Sequence, residues 1–449
     1  MVCVINKYIE TKNNKAMKKL QAKLPFLYVL ILTLFLGGCT TATPNWQNNS
    51  TKQTGAQSSP SDISTTEVTS EPLEATQNVN VNTQNVRVAL LLPLTGQHAR
   101  LGESMLNASQ MALFDLGHDQ FEIVPKDTKG TVQGAQQAAQ QAVNEGAQLV
   151  IGPIFSRSVQ AAQRITMSNN IPMIAFTTDW TLANQQTFLI GFLPFDQVER
   201  VTRYATNRGY VNHGVLAPTG SYGDGVISAY QAIAGSSGVK TVRLERFSDE
   251  SQNLAAIVEV FSDYGARKQY ETQKAQGFAL GGPEKAPFDA VLIPAGGALA
   301  RQVGSFLNHY DLPPSDVKRL GTGLMDDASL ATDRTLDGTW FAAPAPQARA
   351  RFEQRFQALY GNKPPRITSL SYDATALAAI LSRTGIKKTG QPALNYNALT
   401  NPNGFSGIDG IFRFRSNGIS ERGLSILEFR NGQIIEIDPA PKTFEQKNF

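Results

Sequence analysis

Hydrophobic and polar positions run along this chain with two different periods. Val86–Leu92 is an unbroken apolar run of strand length, closed by Pro93 and Gly96, and residues 103–116 follow with helical spacing. Residues 121–124 read as a second strand. The next stretch, 134–147, places Ala135, Ala138, Ala139, Ala142 and Val143 on one helical face. Leu149–Ile151 and residues 171–176 are two further strands. After Gly191 the pattern restarts. Helices at 198–207, 226–234 and 299–310 interleave with strands at 214–217, 242–247, 290–293 and 319–321, and helices at 349–360 and 371–383 follow. Strand, helix, strand at this spacing predicts βαβ units and parallel sheets. The tail differs. Residues 410–415, 424–430 and 433–437 alternate apolar and polar positions around Asn417-Gly418 and Asn431-Gly432, which predicts antiparallel hairpins. No period of 20–50 residues repeats, which argues against a solenoid. From Val86 onward the chain is too long for one simple core and suits two lobes.

The N-terminus carries a different message. Lys18, Lys19 and Lys23 precede an apolar run at 24–36, which ends in Leu36-Gly37-Gly38-Cys39. The run is short for a bilayer span but suits the apolar region of a signal peptide. Leu-Gly-Gly-Cys resembles a bacterial lipobox, so residues 1–38 are expected to be removed and Cys39 to carry lipid. Met17 is an alternative start. Thr40, where an Asp is absent, resembles signals for transfer to the outer membrane. Residues 40–85 are mostly Thr, Ser, Asn and Gln, with Trp46, Ile63 and Leu73 among the few large apolar side chains. Such a composition predicts a flexible tether, spanning roughly 35–40 Å as a coil and about 150 Å extended.

This reading changes the charge and cysteine summary. Residues 1–38 hold six Lys and one Glu, so of the net +4 about −1 is left for the rest of the chain. The basic balance therefore implies no nucleic-acid partner. The two cysteines are Cys3 and Cys39. The mature domain then has no free thiol, which excludes disulfides, Cys-ligated metals and cysteine catalysis.

The apolar blocks also carry a resemblance. VALLLPLTGQHARLG, LVIGPIFSRSVQAAQRITMSNNIPMIAFTTDWTLA, APTGSYGDG, FDAVLIPAGG, LYGNKPPRITSLSYDATALAAIL and FSGIDGIFRF occur in that order between residues 86 and 437. Together they resemble type I periplasmic binding proteins of the leucine/isoleucine/valine-binding kind, and most closely the penicillin-binding-protein activator lipoproteins (the LppC group). The resemblance implies an α/β fold of two Rossmann-like lobes, each a parallel sheet flanked by helices, with a ligand cleft between them. Three hinge crossings are expected, near Leu193-Pro194, Leu324 and Phe405. Lobe one would be 86–193 with 325–405, and lobe two 194–324 with 406–449.

The resemblance also nominates cleft residues. Ser156, after Gly152-Pro153 at a helix start, matches the hydroxyl that holds a ligand carboxylate; its plain structural reading is a helix N-cap. Thr177 and Thr178 end the next strand. Asp179 stands where amino-acid binders of this fold place a Thr, and a carboxylate there repels the ligand's own. Tyr222, in Ser-Tyr-Gly-Asp-Gly, matches an aromatic of the cleft wall, or serves as a loop anchor. The acid that meets a ligand ammonium has no counterpart in residues 321–327, where Asp326 is the nearest substitute. These departures argue against a free amino acid bound in the usual way.

Catalytic motifs are decoys here. Ser315-Asp316-Val317-Lys318 and Lys388-Thr389-Gly390 fit fragments of a penicillin-binding-protein site, but the first leads into a strand and no S-x-N lies between them. His98, His118, His213 and His309 share no ligand spacing, so no metal is expected. No cofactor fingerprint is present, and no catalytic residue is nominated. The expected function is that of a lipoprotein on the periplasmic face of the outer membrane, regulating peptidoglycan synthesis by contact with a penicillin-binding protein. The alternative is the receptor of an ABC importer for branched-chain amino acids or related amides.

Overall fold

The computed structural model describes residues 85–248, 253–278 and 282–444. The expected signal segment, Cys39 and the tether lie outside the described residues. Among the described residues no helix is long and apolar enough to cross a membrane.

β1 (Val86–Leu92) is buried along nearly its whole length, as an unbroken apolar run requires. Its Leu90, Leu91 and Leu92 are fully buried, each worth roughly 1.5–3 kcal/mol in removed apolar surface. α1 (Ala99–Leu116), β2 (Phe121–Asp127) and α2 (Val132–Asn144) follow, and the Thr131 side chain caps α2 by accepting from Gly134 N. Next come β3 (Leu149–Ile151), α3 (Ser156–Ser168), β4 (Met173–Ala175) and β5 (Thr187–Leu189). These strands form one parallel sheet in the order β2-β1-β3-β4-β5.

The chain passes to the second lobe through 190–193 and enters α4 (Pro194–Thr206), whose Pro sits in the first turn. Then follow β6 (Asn212–Pro218), α5 (Ser221–Ser237), β7 (Lys240–Phe247), α6 (Leu254–Phe261), α7 (Tyr264–Ala275), β8 (Ala290–Ile293), α8 (Gly297–His309), β9 (Lys318–Gly321) and β10 (Trp340–Ala343). α9 (Pro346–Tyr360) and α10 (Thr368–Thr389) belong with the first lobe. Phe352 and Phe356 pack with Ala108 and Met111 of α1, and Leu370, Ala374 and Leu377 join the core under the first sheet. A short α11 (Tyr396–Leu399) leads to an antiparallel three-stranded sheet of β11 (Phe405–Gly407), β12 (Gly410–Phe414) and β13 (Ser420–Arg422). β14 (Ser425–Arg430) and β15 (Gln433–Asp438) finish the second sheet, in the order β15-β14-β10-β9-β8-β6-β7. It is parallel from β10 to β7 and antiparallel at β14 and β15.

Two expected crossings move. The second was expected near Leu324, but β10 pairs with β9 through Trp340 and Leu320, so residues 325–343 stay in lobe two and the chain crosses at 344–345. A strand of four residues between Gly338 and Pro344 is too short to show a period. The third was expected near Phe405, yet Phe412 and Phe414 lie in the lobe-one core beside Phe188. Leu189 N also donates to Gly418 O at 2.8 Å, which ties the β12–β13 turn to β5. Gly418 has φ of 84°, and a Cβ there would fall 2.3 Å from Asn184 O. Residues 405–422 therefore belong to lobe one, and the chain crosses at 423–424.

Candidate functional site

In parallel sheets the strands end together, and the loops at their carboxyl ends gather polar groups. After β1, Leu94 N and Thr95 N donate to Asp127 Oδ1 at 2.9 and 3.2 Å, and Thr95 Oγ1 donates to Asp127 Oδ2 at 2.6 Å. After β3 the backbone turns at Gly152, which has φ of 93°; a Cβ there would lie 2.2 Å from Leu91 O. Ser156 opens α3 but does not cap it: the N-cap residue is Phe155, which makes no side-chain cap. The Ser156 hydroxyl instead lies 3.0 Å from the Thr177 hydroxyl at the end of β4. Thr177 is buried and also accepts from Asp179 N at 3.1 Å.

Thr178 is exposed and makes no hydrogen bond among the described residues. Asp179 is used locally. Its Oδ1 accepts from Thr181 N and Thr181 Oγ1, at 3.3 and 2.6 Å, and so caps the 3-10 turn Trp180–Leu182. That turn reaches the other lobe. The Trp180 ring sits edge-on to Phe195 of α4, 5.8 Å between centroids, and a Cβ on Gly225 of α5 would come 3.0 Å from Trp180 Nε1. Gly225 thus provides the flat surface on which the indole rests.

In lobe two, Tyr222 lies in the first turn of α5, and its hydroxyl is 2.8 Å from Thr322 Oγ1 at the end of β9. Burial pushes the Tyr222 hydroxyl well above the usual phenol range, so it keeps its proton. Beside it Gly323 N donates to Gln197 Oε1 at 2.7 Å. The structure thus joins Ser156, Thr177 and Asp179 in one group, and Tyr222 and Thr322 in another. Among the described residues no hydrogen bond links the two groups.

Asp326 is held elsewhere. Its carboxylate is almost fully buried, and Oδ2 is paired with Arg349 of α9 and, at 3.2 Å, with Arg366 just before α10. Both arginines belong to lobe one, so this is a clamp between the lobes. Arg366 continues to Asp409, whose Oδ1 lies 2.9 Å from Nη2 as an ion pair, while Asp409 Oδ2 accepts from Ser369 Oγ at 2.6 Å. Burial works against the Asp409 charge, but Arg366 and Arg422 hold its carboxyl below the usual range. Asp373, also buried, accepts from Ile408 N at 2.7 Å; burial, reinforced by Asp409 beside it, pushes its carboxyl up to about 7.

Arg422 ties the first and third crossings together. Its Nη2 donates to Ile190 O at 2.6 Å, its own N donates to Asp196 Oδ2 at 2.9 Å, and its guanidinium lies 5.1 Å from the Phe192 ring centre. The expectation that Asp326 takes a ligand ammonium is corrected by this network, because both of its cationic neighbours come from the protein. Trp180, Gln197, Thr322, Arg349, Arg366, Asp409 and Arg422 were not nominated from the sequence. Only Thr322, in the Gly-Thr-Gly loop after a predicted strand, carried a local signal. The arginines and their acids lie tens of residues apart.

The decoys stay inert. Ser315 Oγ donates to Asp316, Lys318 Nζ donates to Gly338 O at 3.0 Å, and Lys388-Thr389-Gly390 is the C-terminal turn of α10. Ser156 has a hydroxyl rather than a base as its neighbour, so nothing activates it as a nucleophile. Among the described residues no three His, Cys, Asp or Glu side chains gather to hold a metal.

The periplasmic binding protein family matches residues 85–433, and the chain belongs to that family. It is a binding protein rather than an enzyme. Among solved structures, a proposed branched-chain amino acid ABC transporter protein from Rhodospirillum rubrum is similar, with a TM-score of 0.64 and 16% identity over 78% of this chain and 99% of that one. An ABC transporter substrate-binding protein from Desulfitobacterium hafniense in complex with Leu has a TM-score of 0.56 and 18% identity, covering 78% and 99%. A solute-binding protein from R. palustris in complex with benzoate has a TM-score of 0.55 and 16% identity, covering 81% and 98%. At these identities the likeness is one of fold. An uncharacterised protein of Rickettsia prowazekii (strain Madrid E) is 21% identical over 180 residues, which is 40% of this chain and about half (48%) of that relative.

Proposed function

We propose that this chain is a periplasmic receptor that closes its two lobes on a small carboxylate-bearing ligand for delivery to an ABC importer. The observation that carries the reading is the Ser156–Thr177 hydroxyl pair at the start of α3, where free N–H groups of the helix end favour an anion. Family membership supports it, as do neighbours in complex with Leu and with benzoate. The occupied state of Asp326 bears on the ligand's other end. An acid without an ammonium group fits better than a free amino acid, because the Asp326 carboxylate is already neutralised by Arg349 and Arg366. Closure would follow from contacts that exist only when the lobes meet.

Titration calorimetry with branched-chain amino acids, branched-chain carboxylic acids that lack the amine, and aromatic acids tests this. Micromolar binding of an acid, lost in Ser156→Ala/Thr177→Val, is the expected result. Absence of binding across the panel overturns it.

A second reading is favoured by Leu36-Gly37-Gly38-Cys39 and the polar stretch after it. Here the chain is an outer-membrane lipoprotein of the penicillin-binding-protein activator kind, regulating a bifunctional peptidoglycan synthase by contact and without chemistry of its own. Co-purification of the lipidated protein with such a synthase, in the absence of any importer, is its test. Either role is compatible with a lipid at Cys39.

A further inference from the structure

A cavity lies in lobe one, lined by none of the candidate cleft residues. It has a volume of about 240 Å³ between α9, α10, α1 and the end of β11. Its walls are the apolar side chains of Met111, Phe352 and Ile408 with the ring of Tyr372. Phe352 and Tyr372 meet edge to face, with centroids 5.8 Å apart, so this aromatic corner is rigid. Two guanidiniums, Arg351 and Arg355, complete the lining.

The two arginines are not equivalent. Arg355 is neutralised by a two-pronged ion pair with Asp115, and the same carboxylate accepts from Tyr372 Oη at 2.8 Å. Arg351 makes no hydrogen bond or ion pair among the described residues. The cavity thus combines an apolar interior, one uncompensated positive charge and no uncompensated acid. The floor is also unusual. Gly407 lies against Asp373, where a Cβ would fall 2.5 Å from Oδ2, and Ile408 N is committed to the same carboxylate. The floor therefore offers the cavity no backbone N–H from Ile408, and the ligand's charge must be met by Arg351.

We infer that this cavity is a second binding site, for a small monoanionic acid with a compact aromatic or branched apolar body. The carboxylate pairs with Arg351, and the body lies against Phe352, Tyr372, Met111 and Ile408. A neutral apolar molecule would gain nothing from the Arg351 guanidinium. A dianion would face only one free cation. A cavity of this size has room for a single ring or branched chain, at the small end of ordinary ligand pockets.

The test uses 4-fluorobenzoate and the full chain, followed by fluorine NMR. One bound resonance is expected from this cavity with a Kd near or below about 1 mM, and it should persist in Ser156→Ala/Thr177→Val, whose changes touch none of the cavity's lining residues. Arg351→Glu should weaken it at least roughly tenfold, and Arg351→Lys should restore much of it. Ala348→Trp, at the cavity edge, should abolish it by filling the space. Arg351 is exposed and Ala348 only partly buried, so both variants should keep the parent melting temperature. The inference is overturned if no bound resonance survives in the Ser156→Ala/Thr177→Val protein, or if the surviving one is indifferent to both Arg351→Glu and Ala348→Trp. Failure of the cleft reading is separate, since it is judged on the resonance or heat that the double variant removes.

Discussion

Polar groups at the carboxyl ends of the strands and polar groups at the lobe crossings are held in opposite ways. Ser156 with Thr177, and Tyr222 with Thr322, are neutral hydroxyl pairs closed within one lobe. Asp326 with Arg349 and Arg366, and Asp196 with the Arg422 backbone N, are carboxylate contacts that reach between lobes, while the Arg422 guanidinium holds Ile190 O at the first crossing. A neutral hydrogen bond contributes about 1 kcal/mol net, so an incoming ligand can replace it at little cost. A buried charge left without its partner is far more expensive. The molecule thus keeps exchangeable groups at the strand ends and committed groups at the crossings.

The contrast is broken most severely at Asp326. Asp326→Ala removes the carboxylate shared by Arg349 and Arg366, leaving them only Glu353 and Asp409, and should lower stability by up to about 3–5 kcal/mol in denaturant melts. Asp326→Asn should cost less, because shape and one acceptor oxygen remain. An Asp326→Ala protein as stable as the parent would show that the clamp is not committed at all.

Next in size is Ser156→Ala/Thr177→Val. Cleft-ligand affinity should fall at least roughly tenfold while the melting temperature hardly moves, read by calorimetry of binding and of unfolding. A large stability loss would place the pair with the structural groups instead.

The pH dependence probes the crossing network from inside. Asp373 in the folded chain titrates at about 7, above an unfolded Asp near 3.9, so the folded state holds a proton that the unfolded state has released. Stability should therefore fall as pH rises from about 4 to about 7, and Asp373→Asn should flatten that part of the slope. An unchanged slope in thermal melts across this range would remove Asp373 from the account.

The smallest effect is at the lobe-two pair. Tyr222→Phe leaves the fully buried Thr322 without its hydroxyl partner and should cost about 0.5–1.5 kcal/mol in urea unfolding. No measurable change would mean that Tyr222 is a ring in a wall and nothing more.

Much of the scaffold was legible in the chain. β1, β3 and β8 fall on their apolar runs, and the Asn417-Gly418 and Asn431-Gly432 turns mark the tail hairpins. β5 and β10 were not legible, because neither carries the Val or Ile that marks the equally short β3 and β8, and missing β10 displaced the second crossing. The third crossing was misjudged because β12 and β13 look like any edge hairpin until Phe412 and Phe414 are seen against Phe188. In the candidate site, the resemblance nominated Ser156 and Tyr222, and the structure sets Ser156 against Thr177 and Tyr222 against Thr322 at strand and helix ends. Asp326 was found for a role that its neighbours prevent.

By itself the sequence determined the alternation of strands and helices, hence two parallel sheets, and the residue types available at their ends. Period and turn chemistry are local, so they survive in one dimension. Only the tertiary structure decided which polar groups are free. Arg349 and Arg366 reach Asp326 from 23 and 40 positions away, through two helices that return to the first lobe. That closure depends on packing across a crossing, and no local pattern records it.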